Sequence, residues 1–165
     1  MYRIASFLLS AALLGAGWTT QPSAFWTCPG NAPTATTAHF AGRCFSSPGG
    51  TWQLEEVVVW YSPQATNTFS SYTAQYIWDG RVEIAGFETM IEKPTHVGSV
   101  QVVVWWDGLT DNINIYKGNY VAQLLLTDNP SGPTNPFTGG DSRPPRAMIL
   151  RIAAEAAKEL SAKLP

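Results

Sequence analysis

Apolar and polar residues fall along the chain in two periods. Trp52 to Tyr61 (WQLEEVVVWY) alternates with period two, placing Leu54, Val58 and Trp60 on one face of a strand and Val57, Val59 and Tyr61 on the other. Apolar residues on both faces of its second half predict a strand covered on both sides there, with Glu55 and Glu56 at its more exposed beginning. Ser99 to Trp106 (SVQVVVWW), Asn112 to Tyr116 and Tyr120 to Thr127 read as three further strands, with Ile113 and Ile115 inward in the second. Asp107-Gly108 and Lys117-Gly118-Asn119 are the turns between them. Connections this short join only antiparallel neighbours, so the three strands predict a meander. Arg81 to Ala85 reads as another strand with Val82 and Ile84 inward, and Gly86-Phe87 breaks or bulges it before Met90 and Ile91.

The helical period appears twice. Ser62-Pro63 is a helix start, and Ala65, Phe69, Tyr72 and Tyr76 share one face of a short helix that ends at Asp79-Gly80. Pro144-Pro145 opens a longer helix running to about Leu164, with Met148, Ile149, Ile152, Ala153, Ala156, Leu160 and Leu164 as its buried stripe. Arg151 with Glu155, and Glu159 with Lys163, are i,i+4 pairs on its wet face. In the last strand Tyr120, Ala122, Leu124 and Leu126 form a continuous apolar face, which this helix can cover. Residues 25 to 51 and 129 to 141 are rich in Pro and Gly and lack apolar repetition, so they read as loops. The predicted fold is α+β: a mainly antiparallel sheet of four to five strands, covered on one face by the C-terminal helix, with one shorter helix.

The N-terminus has the pattern of a secretory signal peptide. Arg3 precedes an uncharged apolar run, Ile4 to Leu14, followed by small Gly15, Ala16 and Gly17. The predicted organisation is a leader over 1–17, with cleavage as late as residue 24 as the alternative, and a single α+β domain over 25–165. The run is shorter than the roughly 20 residues of a spanning helix, so no stable membrane span is expected after cleavage. Export to the periplasm or the medium changes the reading of Cys28 and Cys44, the chain's two cysteines. In an oxidising compartment they read as a disulfide closing an N-terminal loop. His39 between them matches no zinc spacing, so no metal is expected.

Composition narrows the function. Charged residues are 13% of the 165, hydrophobic residues 45% and aromatic residues 12%, with a formal net charge of -2. A chain this apolar folds rather than staying disordered, and without a basic excess it is no general nucleic-acid binder. No G-x-S-x-G elbow, H-E-x-x-H, P-loop or dinucleotide fingerprint occurs, so no cofactor is implied. His39 and His96 lie in loop-like segments and read as structural. Two of Glu55, Glu56, Asp79, Glu83 and Asp107 could serve a glycosidase, but Glu55 and Glu56 point to opposite faces and both aspartates sit in turn dipeptides.

The aromatic residues are the remaining candidates. Two strands end in aromatic pairs, Trp60-Tyr61 and Trp105-Trp106. Core packing is the simpler role for them, and a stacking platform for a ligand is the functional one, because adjacent strand residues face opposite sides. The expected function is non-enzymatic binding or sensing of a protein, lipid or small molecule outside the cytoplasm. A carbohydrate-binding module using exposed tryptophan is the alternative, and a small secreted hydrolase the third reading.

Three stretches, Val82 to Glu88 (VEIAGFE), Ile113 to Val121 (INIYKGNYV) and Ala153 to Pro165 (AAEAAKELSAKLP), resemble small exported bacterial α+β domains of unknown function, found in secreted proteins and lipoproteins. Such domains carry a kGn hairpin and a terminal Ala-rich helix ending in AKLP. Phe87-Glu88 stands where that group has a small-residue step, and no lipobox cysteine follows the apolar run. The resemblance implies an extracytoplasmic sensing or binding domain and carries over no catalytic residue.

Overall fold

A computed structural model describes residues 4–21, 40–60, 89–106, 110–128 and 143–165. Among these residues seven strands form one sheet: β1 (Thr19–Gln21), β2 (Phe40–Ser46), β3 (Trp52–Trp60), β4 (Thr89–Val97), β5 (Val100–Trp106), β6 (Asp111–Lys117) and β7 (Tyr120–Asp128). Their order across the sheet is β1-β2-β3-β7-β6-β5-β4, and every neighbouring pair is antiparallel. Among the described residues one α-helix, α1 (Arg146–Lys163), lies over the β4, β5 and β6 part of one face.

The meander β5-β6-β7 follows the expected pattern, and Gly118 supplies the positive φ of +55° that the tight β6-β7 connection needs. β7 then pairs along its whole length with β3, so Leu54 lies beside Leu126 and Val58 beside Ala122. Of the expected stripe Ile149, Ile152, Ala153, Ala156, Leu160 and Leu164 are buried and Met148 is half-buried, and Ala157 joins the buried ones. The expected helix after Ser62-Pro63, the strand over 81–85, Tyr61, the turns at Asp79-Gly80 and Asp107-Gly108, His39 and Cys28 lie outside the described residues.

The sheet is larger than the four to five strands expected, because three strands lack an apolar alternation. β1 is the short polar edge Thr-Thr-Gln. β2 lies inside the stretch read as a loop, since the inward position between Ala41 and Phe45 is Arg43, which pairs across the sheet with Glu56. β4 carries His96, also expected in a loop, and is the opposite edge, broken by register shifts between Met90 and Glu92 and between Glu92 and Thr95. Pro94 falls in that irregular stretch, as an edge strand allows.

The core lies between the sheet and two covers. Val100, Val102 and Val104 of β5 and Ile113 and Ile115 of β6 lie on the face that α1 covers, and Ala122, Leu124 and Leu126 of β7 continue the same cluster. The β2-β3 side of the same face is met by residues 4–14, the stretch read as a leader, which forms two short 3-10 turns, Ile4–Phe7 and Ala11–Leu14. Ile4, Phe7, Leu9 and Leu14 are buried in the one apolar cluster with Phe45, Leu54 and Val58. A smaller cluster, Val103, Trp105, Tyr116 and Val121, occupies the other face of the sheet.

Candidate functional site

Glu56 is a charged residue fully buried in the middle of β3. Period two along β3 puts it on the face of Leu54, Val58 and Trp60, and cross-strand pairing sets it between Leu124 and Arg43. Glu56 is thus an exception to the expected exposed beginning of this strand, and the reason is its partner. Arg43 donates from Nε to Glu56 Oε2 at 2.8 Å, and its guanidinium also lies 4.7 Å above the Phe45 ring. The second carboxylate oxygen, Oε1, accepts the main-chain N–H of Leu9 at 2.6 Å. Burial raises the Glu56 carboxyl above its ordinary value, with the Leu9 amide and Arg43 pulling the other way.

The rest of the N-terminal segment is held in the same manner, by charged side chains on its main chain. Ser10 donates its N–H to Glu159 Oε1 at 2.7 Å, and Lys163 Nζ donates to the carbonyl of Leu8 at 2.9 Å. Arg151 donates to the carbonyls of Leu13 and Leu14 at 3.0 and 2.9 Å, so it reaches across to this segment from the wet face of α1. The segment's apolar side chains point into the sheet, where Phe7 meets Tyr120 edge-on with ring centroids 5.2 Å apart. Residues 4–14 thus fill the gap between α1 and β2-β3, with apolar side chains on the sheet and charged side chains of β3 and α1 on their main-chain groups.

The aromatic candidates do not share one surface. Trp60 is half-buried beside the main core and Trp106 half-buried on the same face, but Trp60 pairs with Tyr120 and Trp106 with Asp111, at opposite ends of the sheet. Trp105 is buried on the other face with Val103, Tyr116 and Val121, and its indole Nε1 has no hydrogen-bond partner. Trp106 carries Arg143 on its ring, the guanidinium 4.2 Å from the centroid. Arg143 also donates to both carboxylate oxygens of Asp111, at 2.6 Å to Oδ1 and 3.4 Å to Oδ2. Asp111 is buried, so this partly exposed arginine is what compensates its charge.

Cys44 is buried on β2, on the face away from α1. Among the described residues no three His, Cys, Asp or Glu side chains come together as a metal site. Beside Trp105, Asn114 donates from Nδ2 to the Tyr116 hydroxyl at 2.9 Å, and burial pushes the Tyr116 phenol up to about 12.

Sequence reasoning missed the Arg43-Glu56 pair, although parity contained it. Ala41-x-Arg43-x-Phe45 and Leu54-x-Glu56-x-Val58 each place a charge of opposite sign at an inward position. No family model matches the chain, and neither a curated protein nor a solved structure matches it.

Proposed function

We propose that this chain is an exported, non-enzymatic binding domain that takes its partner as polypeptide. The observation that carries the reading is how residues 4–14 are seated between α1 and β2-β3: Glu56, Arg151, Glu159 and Lys163 all engage main-chain N–H or C=O groups of this segment, whose apolar side chains lie on the sheet. A seat of that make-up suits a peptide better than a sugar or a fatty chain, because an alternation of N–H and C=O groups is what charged donors and acceptors around it can match. Export, with removal of the N-terminal leader, and a Cys28-Cys44 disulfide belong to the same reading. The leader pattern of Arg3 and Ile4 to Leu14 supports the first, and the even pair of cysteines in a chain read as exported supports the second.

The test uses the protein recovered from its own cell. Fractionation, intact mass and a free-thiol assay locate the mature chain and its cysteines, and the recovered protein is titrated on panels of apolar peptides, liposomes and glycans. The expected result is an extracytoplasmic protein without reactive thiols that binds apolar peptides saturably. Retention in the cytoplasm, or turnover on hydrolase substrates, overturns the reading. Glycan binding that is lost on Trp106→Ala replaces it with the carbohydrate-binding alternative.

A further inference from the structure

We propose that the gap between α1 and β2-β3 is an exchangeable groove for an apolar peptide, and that residues 4–14 of this chain are its resident occupant. This rests on the binding-domain reading and names the site and the ligand chemistry within it.

Three observations separate residues 4–14 from an ordinary piece of core. First, the segment belongs to no strand or α-helix; it is two 3-10 turns separated by Leu8, Leu9 and Ser10, and it lies on the sheet face without adding to the sheet. Second, five polar contacts reach it from charged side chains, and each ends on a main-chain group: Leu8 O, Leu9 N, Ser10 N, Leu13 O and Leu14 O. Such contacts ask only that the occupant have a backbone, while the floor asks that its side chains be apolar. Third, the segment leaves the gap through an exposed turn, Gly15 to Gly17, before β1 begins at Thr19. A cut in that turn severs the occupant and leaves every strand intact.

The buried pair explains why such a groove would hold a charge at its centre. In a permanently closed core, an apolar side chain at position 56 beside another at 43 would serve as well or better. An acid-base pair there leaves one carboxylate oxygen directed at the occupant, ready for an N–H, with Arg43 holding the other. The occupant that fits is an apolar stretch of the length of residues 4–14, entering as a compact turn rather than as an added strand.

Covalent attachment governs who occupies the groove. A short tether gives its own segment an effective concentration of about millimolar, so a free peptide at micromolar concentration does not displace it. Removal of residues 1–17, or a cut between them and β1, ends that advantage. The mature exported chain would then present the groove open to an apolar segment of a partner protein.

The experiment keeps the whole chain. A site-specific protease sequence is inserted at Ala16, the protein is purified folded and then nicked, and a fluorescein-labelled peptide of residues 1–16 is titrated against nicked and intact protein by anisotropy. The nicked protein is expected to keep its far-UV and near-UV circular dichroism and to bind the peptide saturably, while the intact protein shows no uptake. Arg151→Ala together with Lys163→Ala, both on the rim, should weaken binding about tenfold or more. A peptide with Phe7→Ser and Leu9→Ser should not compete. A nicked protein that unfolds shows that the segment is core and overturns the proposal, as does one that stays folded without peptide uptake, or one that binds the serine peptide equally. Because no export step is involved, failure here leaves the binding-domain reading to its own test on the exported protein, and failure there does not alter this result.

Discussion

The main-chain N–H of Leu9 donates to Glu56 Oε1 at 2.6 Å, joining positions 47 apart in sequence at a fully buried carboxylate. Arg43 holds the other oxygen at 2.8 Å, so one acidic side chain ties β2, β3 and the N-terminal segment together. Removing a single partner of a buried pair leaves the other charge uncompensated. Glu56→Ala should therefore cost about 3–5 kcal/mol in urea unfolding. Glu56→Leu with Arg43→Met should be far milder, within about 2 kcal/mol of wild type, since only the Leu9 amide is then orphaned. Equal losses for the single and the double change would contradict the pairing.

The same carboxyl predicts a pH dependence. Burial raises it above the ordinary 4.5, so the folded chain holds this proton at a pH where the unfolded chain has released it. Its contribution to stability is full below about pH 4.5 and is lost as the pH rises through the raised value. Unfolding free energies measured from about pH 4.5 to about pH 8 should show this falling component in wild type and not in Glu56→Gln. A wild-type advantage that grows with pH would reverse the sign and sink the assignment.

Arg143 serves Asp111 and Trp106 at once, through two hydrogen bonds and a ring contact at 4.2 Å. Its side chain is 47% exposed and that of Asp111 only 1%, so solvent screening lowers what the pair contributes while the aspartate still needs it. Arg143→Ala should destabilise by about 1–3 kcal/mol and shift tryptophan fluorescence as Trp106 loses its cover. Arg143→Lys should recover only part, because an ammonium cannot reproduce the planar fork or the stacking. Full recovery with lysine would mean that charge alone matters there.

The β4-β5 turn docks on the end of α1. Ser99 donates its N–H to Ser161 Oγ at 2.9 Å, and Gly98, at φ +58°, sits so close to Ser161 that an added Cβ would collide with that Oγ. Gly98→Ala should lower stability by about 1–3 kcal/mol, from the left-handed conformation and from the overlap together. Adding Ser161→Ala should relieve the overlap and leave the conformational part. Gly118→Ala, at φ +55° with open space around it, is the control for that part alone. Thermal melts of the three variants check the comparison: a Gly98→Ala loss no larger than that of Gly118→Ala would remove the steric component.

The parts of the fold that could be read in the chain are those whose partners are close by. β5, β6 and β7 show their alternation and their turns locally, and Met148 to Leu164 shows a helical stripe without reference to anything else. β2 could not be read that way. Its inward Arg43 is tolerable only because Glu56 faces it from the next strand, and a window on either strand alone sees a charge that belongs outside. Trp105 and Trp106 show the same limit in reverse: adjacency assigns them to opposite faces, but only the opposing elements decide that one is buried with Tyr116 and Val121 and the other lies under Arg143.

The apolar run from Ile4 to Leu14 has one sequence and two physical readings, a leader for a membrane channel and a filler for a cleft, because both environments select uncharged, apolar residues. By itself the chain determined the α+β class, the meander and the terminal helix, all of which rest on contacts or periodicities within a few residues. Tertiary structure decided that α1 covers only part of the sheet, that residues 4–14 meet the part beside β2 and β3, and that Glu56 points at them. Those outcomes depend on groups brought together from distant positions, where a buried glutamate is held by Arg43 from one strand and by the Leu9 amide from the N-terminal segment.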